Sequence, residues 1–262
     1  MEIKNIVDAI ILCAGFGTRM YPLTETQPKS LLKVAGKPVL DYLIDQLITC
    51  DNLMAIHIVV NQKFYEHFFR WSIKWKSQLQ LHEIELRLYN NGVEHNEHRL
   101  GAIGDLAYAL EECNLSSENI LVIAGDNIFL FDIVPICQRF SKSPRNMLLA
   151  IKEHNKQRLR RMGVLQIGDD GKVIKFQEKP NNPTSSWVCP AFYLFTSDVL
   201  QLIKQYCKKP TLKDEIGYLL QHLVEAVDVF AFKVDGVRLD IGSLEDYGKA
   251  DLLIAKQSSF KK

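Results

Sequence analysis

The residues most able to do chemistry stand just after an apolar run: Gly15-Phe16-Gly17-Thr18-Arg19, followed by Pro28-Lys29. Two glycines one residue apart let the backbone turn tightly and leave amide N–H groups uncovered, so several can converge on one cluster of anionic oxygens. Arg19 adds a planar fork that grips two oxygens, and Lys29 a point charge on a flexible stem. Together they ask for a polyphosphate. Further along, Gly125-Asp126-Asn127 closes another apolar run, Ile120 to Ala124. A carboxylate at the carboxyl end of a central strand faces the crevice where open α/β sheets bind ligands, which makes Asp126 a candidate Mg2+ ligand. An Asp satisfying the amides of its own turn is the competing reading.

The elements that must hold these groups follow from periodicity. Ile6 to Cys13, interrupted by Asp8, reads as a buried parallel strand stopping at the glycines. The spacing excludes a Walker loop, which needs Gly, four residues and then Gly-Lys-Ser/Thr. It also departs from the dinucleotide fingerprint, which places Gly or Ala where Met20 stands and an acid where the next strand ends in Asn61. On the glycines alone an ordinary strand-to-helix turn competes; Thr18-Arg19 and Pro28-Lys29 weigh against it.

Beyond Gly36-Lys37-Pro38, a helix is expected from Pro38 through Ile48, then a strand at Ala55–Val60. Phe64, Phe68, Trp71 and Trp75 form one helical stripe, read as core packing, with a subunit interface in a homo-oligomer as the alternative. Ile84–Tyr89 alternates as a strand, and a helix runs from about Leu100 to Glu112. His95, Glu97 and His98 match no familiar metal spacing and read as a solvated loop. Strand and helix alternate up to about Cys137, as in a right-handed βαβ series. Met147–Ile151, Gly163–Ile167, Val173–Gln177 and Trp187–Phe195 then read as strands, with a hairpin turn at Asp169-Asp170-Gly171. Thr196-Ser197-Asp198 is expected to cap a helix to about Tyr206. Lys213–Ala226 reads as a helix, Val227–Val234 as a strand, and Leu244 to about Lys256 as the last helix.

Ala14-Gly15-x-Gly17-Thr18-Arg19 with Pro22 and Pro28-Lys29 resembles the signature of the sugar-1-phosphate nucleotidyltransferases, the pyrophosphorylases that make nucleotide sugars. Glu178-Lys179-Pro180 and Asp240-Ile241-Gly242 resemble later motifs of that family, in the same order. The resemblance implies an α/β, Rossmann-like three-layer fold with a central mixed, mostly parallel sheet. It implies one domain over 1–262, residues 1–137 forming the nucleotide half and 138–262 the sugar-phosphate half. Leu12, Ala14, Gly15, Gly17, Thr18, Arg19, Lys29 and Gly101 would then bind the nucleotide, with Gly101 beside the base. Gly163, Glu178 and Lys179 would bind the sugar phosphate. Asp126 and Asp240 would hold Mg2+, and Arg19, Lys29 and Asp126 would be catalytic. The chain differs from the usual pattern in having Ala102 after Gly101, Met162 before Gly163, Cys189-Pro190 before Ala191, and Arg238 in place of an aromatic residue.

Composition bounds the partners. The 262 residues are 47% hydrophobic and 24% charged, enough to bury a large core, and 32 Lys and Arg nearly balance 31 Asp and Glu. With no bulk field to recruit nucleic acid or an anionic membrane, phosphate binding has to be local. No run reaches the length of a membrane span, and Met1–Asn5 has no signal-peptide pattern. Six scattered cysteines without a Cys-x-x-Cys pair read as reduced core thiols of a cytoplasmic protein.

These groups suit attack by a sugar phosphate on the α-phosphorus of a nucleoside triphosphate, with pyrophosphate leaving. Two rivals share the glycine loop: a cytidylyltransferase acting on a phosphorylated alcohol such as phosphocholine, and a silent nucleotide-sugar-binding regulator.

Overall fold

The apolar run before the glycine loop forms β1 (Val7–Leu12), buried except at its last residue. In the computed structural model of the protein, which describes residues 7–115, 117, 119–208 and 214–259, β1 is central to one large mixed sheet. A small hairpin, β2 (Lys33–Val34) and β3 (Lys37–Pro38), leads into α1 (Val39–Leu47), so Pro38 precedes the helix rather than beginning it. Then follow β4 (Leu53–Val60), α2 (Tyr65–Gln80), β5 (Glu85–Asn90), α3 (Gly101–Glu112) and β6 (Asn119–Ala124). Strands β6, β1, β4 and β5 lie side by side, all parallel, as alternating strand and helix require.

The second half reverses direction. After β7 (Asn127–Phe129) and α4 (Val134–Lys142) come β8 (Met147–Lys152), the short α5 (Lys156–Leu159), β9 (Gly163–Ile167) and β10 (Val173–Glu178). The segment expected as one strand, Trp187–Phe195, is two: β11 (Trp187–Cys189) and β12 (Phe192–Phe195). Pro190 has no N–H to donate, so the ladder stops there. As a result β11 pairs with β8 and β9, while β12 pairs antiparallel with β6 and β8 and joins the two halves of the sheet. The hairpin expected at Asp169–Gly171 connects β9 to β10, with Gly171 at φ +84°.

The chain closes with α6 (Ser197–Cys207), α7 (Gly217–Ala226), β13 (Phe230–Val234), β14 (Arg238–Asp240) and α8 (Leu244–Ser259). Thr196 precedes α6, but its hydroxyl donates to Asn146 Oδ1 at 3.0 Å and does not cap the helix. The expected starts at Ile6 and Lys213, and the leader reading of Met1–Asn5, fall outside the described residues.

Period-two alternation sends β1 into two cores. Val7, Ala9 and Ile11 pack with α1, α2 and α4, whereas Ile10 packs with α3, α6 and α7, giving three layers. The aromatic stripe belongs to the first core: Phe64, Phe68 and Trp75 are 1%, 0% and 3% exposed. Both indoles also donate to the buried Asp41 carboxylate, Trp71 at 2.7 Å and Trp75 at 2.9 Å, which locks α2 onto α1. A third cluster unites Met20, Leu32, Val34, Val39, Ile128, Ile241, Ala250 and Ile254. It fastens the chain beyond the glycine loop to β7, β14 and α8, bringing elements distant in sequence to one place.

Among the described residues no helix is long and apolar enough to cross a membrane. The six cysteines are unpaired, five buried and Cys207 half-buried. Burial pushes the Cys13 thiol up to about 12 and that of Cys207 to about 11. Native protein at pH 8 is therefore expected to react slowly with a thiol reagent and to titrate all six after denaturation. Rapid native labelling of Cys13 would contradict that environment.

Candidate active site

The glycine loop is braced from both sides. Gly17 adopts φ +64°, and its carbonyl accepts the Thr24 hydroxyl at 2.8 Å. Asn61, at the end of β4, donates through Nδ2 to the Ala14 carbonyl at 2.9 Å and accepts the Phe64 N–H at 2.9 Å. Where a dinucleotide site would carry an acid, this chain carries a strut for its own loop.

Next to it, Gly125 N–H donates to the Leu12 carbonyl at 3.1 Å, so the ends of β6 and β1 lie side by side. Lys29, on a single 3-10 turn after Pro28, pairs through Nζ with the Asp126 carboxylate. Burial acts to raise the Asp126 pKa, but Lys29, by charge and hydrogen bond, and Arg238 outweigh it and hold the carboxyl below its usual range. Across the sequence, β14 pairs antiparallel with β7, setting Asp240 opposite Asn127 while Ile241 N–H donates to the Asp126 carbonyl at 3.2 Å. Withdrawal from water and then the Asp126 charge raise the Asp240 pKa, against the pull of Arg238, Lys29 and Arg19. Two carboxylates are thus held close enough to repel.

That donor set fits a hard cation. Mg2+ binds through one or two carboxylates and completes its shell with phosphate oxygens and water. Among the described residues no group of three or more His, Cys, Asp or Glu side chains could hold a metal unaided. His95, Glu97 and His98 lie exposed on a short helical turn. Arg238, noticed in the sequence for replacing an aromatic residue, is a brace: Nη1 donates to Asn127 Oδ1 at 2.8 Å and Nη2 lies 3.4 Å from Asp240 Oδ2.

The groups divide between two adjoining hollows. One, of about 380 Å³, is lined by Leu12, Ala14, Gly15, Gly17, Thr18, Lys29, Asp126 and Gly101. The other, of about 470 Å³, is lined by Met162, Lys179, Arg238 and Asp240. Arg19 lines both. Every expected nucleotide residue lies in the first hollow, and Lys179 and Asp240 lie in the second. Gly163 and Glu178 line neither.

Those two sit behind Lys179. Gly163 packs under the Phe176 ring, where a Cβ has no room. Lys179 adopts φ +45°, its N–H donates to the Met162 carbonyl at 3.2 Å, and its ammonium lies 2.8 Å from Glu215 Oε1 and 3.9 Å from Glu178 Oε1. Burial raises the Glu178 pKa, against the nearby Lys179 charge. Its carboxylate lies against Gly217, the first residue of α7, leaving no space for a Cβ there. Gly217→Ala should therefore displace Glu178 and, through it, Lys179. With Lys179 serving the phosphate acceptor, as the resemblance implies, the expected result is an apparent KM for the acceptor raised severalfold with nucleotide KM unchanged, measured by steady-state kinetics; equal effects on both would contradict that role.

Sequence reasoning missed the rim of the first hollow. Gly101 turns at φ +74° against the Asp214 side chain, and Asp214 pairs with Arg99 at 2.9 Å. Neither residue stood in a recognisable motif, and the pair joins positions 115 apart.

Parallel strands β1 and β6 running into a glycine loop and Asp126, with Lys29 paired to that carboxylate and Asp240 brought in by β14, define a nucleotide-handling α/β enzyme. A model of the nucleotidyl transferase family matches residues 8–257, and the chain belongs to that family. It is 28% identical over 262 residues to a UTP–glucose-1-phosphate uridylyltransferase of Haloferax volcanii, covering 97% of this chain and 98% of that one. It is also 28% identical over 237 residues to the bifunctional protein GlmU of Methanocaldococcus jannaschii, covering 90% of this chain but 51% of that protein, about half its length. A solved UDP-glucose pyrophosphorylase complexed with UDP-glucose shares the fold, with a TM-score of 0.79, 19% identity, and coverage of 96% of this chain and 99% of that one. The resemblance to sugar-1-phosphate nucleotidyltransferases is borne out, and so is the mixed α/β sheet.

Proposed function

We propose that this nucleotidyltransferase joins a nucleoside triphosphate to a sugar-1-phosphate, giving a nucleotide sugar and pyrophosphate. The observation that carries this reading is the position of Arg19, on the walls of both hollows, between Lys29 and Asp126 on one side and Lys179 and Asp240 on the other. One hollow offers loop amides and cations to a triphosphate; the other offers a cation and polar walls to a second phosphate. The name of the Haloferax volcanii relative, covered over 98% of its length, points the same way.

The reaction brings two anions together, so charge compensation and alignment are its main requirements. The loop amides at Gly15 and Gly17, with Lys29, hold the triphosphate. Arg19 grips the departing pyrophosphate, and Lys179 holds the attacking phosphate oxygen in line with the α-phosphorus. That oxygen is already anionic, so no side chain has to remove a proton. Asp126 and Asp240 would hold Mg2+, which would supply positive charge to offset that of the phosphates. Arg238 keeps the two carboxylates in register.

The test is pyrophosphate release with and without Mg2+, crossing five nucleoside triphosphates with several sugar-1-phosphates and phosphocholine. Metal-dependent release with a sugar phosphate is expected. Release with phosphocholine alone would assign a different acceptor, and silence across the grid with nucleotide still bound would favour a regulator.

A further inference from the structure

Asp105 lines the nucleotide hollow and takes no part in the charge compensation described above. It stands in the second turn of α3, four residues beyond Gly101, and is 7% exposed. A buried carboxylate needs a partner. Its only partner among the described residues is Asn91, just beyond β5, whose Nδ2 donates to Oδ1 at 2.8 Å. The Asn91 amide cannot turn round, because its own Oδ1 accepts the Val93 N–H at 3.0 Å. The nearby cations are engaged elsewhere: Lys29 pairs with Asp126, and Arg99 with Asp214. One acceptor oxygen, Oδ2, is left to the hollow.

The strand order says which part of a nucleotide meets it. Asp126 follows β6 and the glycine loop follows β1, whereas Asn91 follows β5, beyond β4. From β6 to β5 is three strand spacings, about 14 Å, on the scale of a nucleoside with its first phosphates. With the triphosphate at Lys29 and Arg19, the base lies towards Gly101, Asn91 and Asp105. A carboxylate at this end also repels phosphate, favouring one orientation.

We propose that Asp105 makes the enzyme select a nucleotide whose base carries an amino group (guanine, cytosine or adenine) over uracil and thymine. An ionised carboxylate only accepts hydrogen bonds. An exocyclic amine offers it a donor with an open side. The single N–H of uracil or thymine lies between two carbonyl oxygens, both repelled by the same carboxylate. Burial raises the Asp105 pKa to about 6, opposed by the Asn91 bond, so above that pH the ionised carboxylate gains most from a donor supplied by the ligand. This inference rests on the nucleotidyl-transfer reading and narrows its first substrate.

The test measures binding of ATP, CTP, GTP, UTP and dTTP to the full chain by calorimetry with Mg2+, beside pyrophosphate release with sugar-1-phosphates. At least one amino-bearing nucleotide is expected to bind about tenfold or more tighter than UTP and dTTP. Asp105→Asn, which presents an amide of the same shape, should reduce that ratio about tenfold, and Asp105→Ala should abolish it. A wild-type preference for UTP or dTTP would overturn the proposal without any variant, so it stays testable if the variants misfold. An unchanged ratio in a folded variant, or equal losses for all five nucleotides as a contact common to every nucleotide would give, would overturn it too. Selective binding without release would keep the base assignment and remove the acceptor reading; release preferring UTP would do the reverse. Binding of no nucleotide would overturn both.

Discussion

Asp126→Asn should lower turnover by about 100- to 1,000-fold, the range seen when a preorganised electrostatic partner is removed, while the protein stays folded. Asn has nearly the same shape, and it can still accept from Lys29, which pairs with the carboxylate in the wild type. The backbone contact through the Asp126 carbonyl to Ile241 N–H is unaffected by the substitution. What disappears is one of the two negative charges proposed to hold Mg2+. Pyrophosphate release gives the activity, and thermal melting by circular dichroism gives the fold. Activity within tenfold of wild type would sink the metal-ligand assignment of Asp126. Loss of the folded state would show that the Lys29 pair is structural first.

Gly125→Ala should damage both stability and activity. A Cβ at this position would overlap Cys13 Sγ and stand 3.1 Å from Ile11 Cγ2 and 3.4 Å from Ser30 Oγ. These neighbours belong to β1, to the start of the glycine loop and to the turn bearing Lys29, so none moves without disturbing the walls of the first hollow. Overpacking of this kind costs about 1–3 kcal/mol, and the adjacent Asp126 should shift enough to lower turnover at least about tenfold, since small misplacements of a positioned group are costly. Denaturant melts and pyrophosphate release measure the two effects. The double variant Gly125→Ala with Cys13→Ala removes the obstructing sulfur and should recover part of both, because contacting residues couple in a double-mutant cycle. A single variant equal to wild type, or a double variant no better than the single one, would contradict this close approach.

Much of the first half of the chain was legible because its signals are local. The run before Gly15 reads as a strand from its apolar residues, the loop from two glycines, and Lys29 from its place after Pro28. Each needs only a few neighbouring residues to be recognised. The aromatic stripe was legible for the same reason, since a helix repeats every 3.6 residues whatever it packs against. Asp41, which receives both indole N–H groups, carried no such signal.

The second half of the chain was harder to read, and the reason is physical. Trp187–Phe195 has strand composition throughout; only Pro190 marks the point where the chain stops pairing with β9 and crosses to β6. The sequence shows a strand there but not its partners, because composition reports burial and says little about which edge is vacant. Glu178 reads as a strand-end charge, yet it is tucked against Gly217, and Gly163 lies under the Phe176 ring. Both positions are set by how α7 and β10 settle on the sheet.

By itself, the sequence determined the local chemistry: a loop that offers amides to phosphate, cations beside it, carboxylates after strands, and a core large enough to hold them. Only the tertiary structure decided which of these groups meet. The pairing of β14 with β7 brings Asp240 opposite Asn127, and one turn of α3 against the end of β5 joins Asp105 to Asn91. Local geometry follows from a few neighbouring torsion angles. Contacts between residues far apart in the chain depend on ladder register and helix packing, which the whole core sets together.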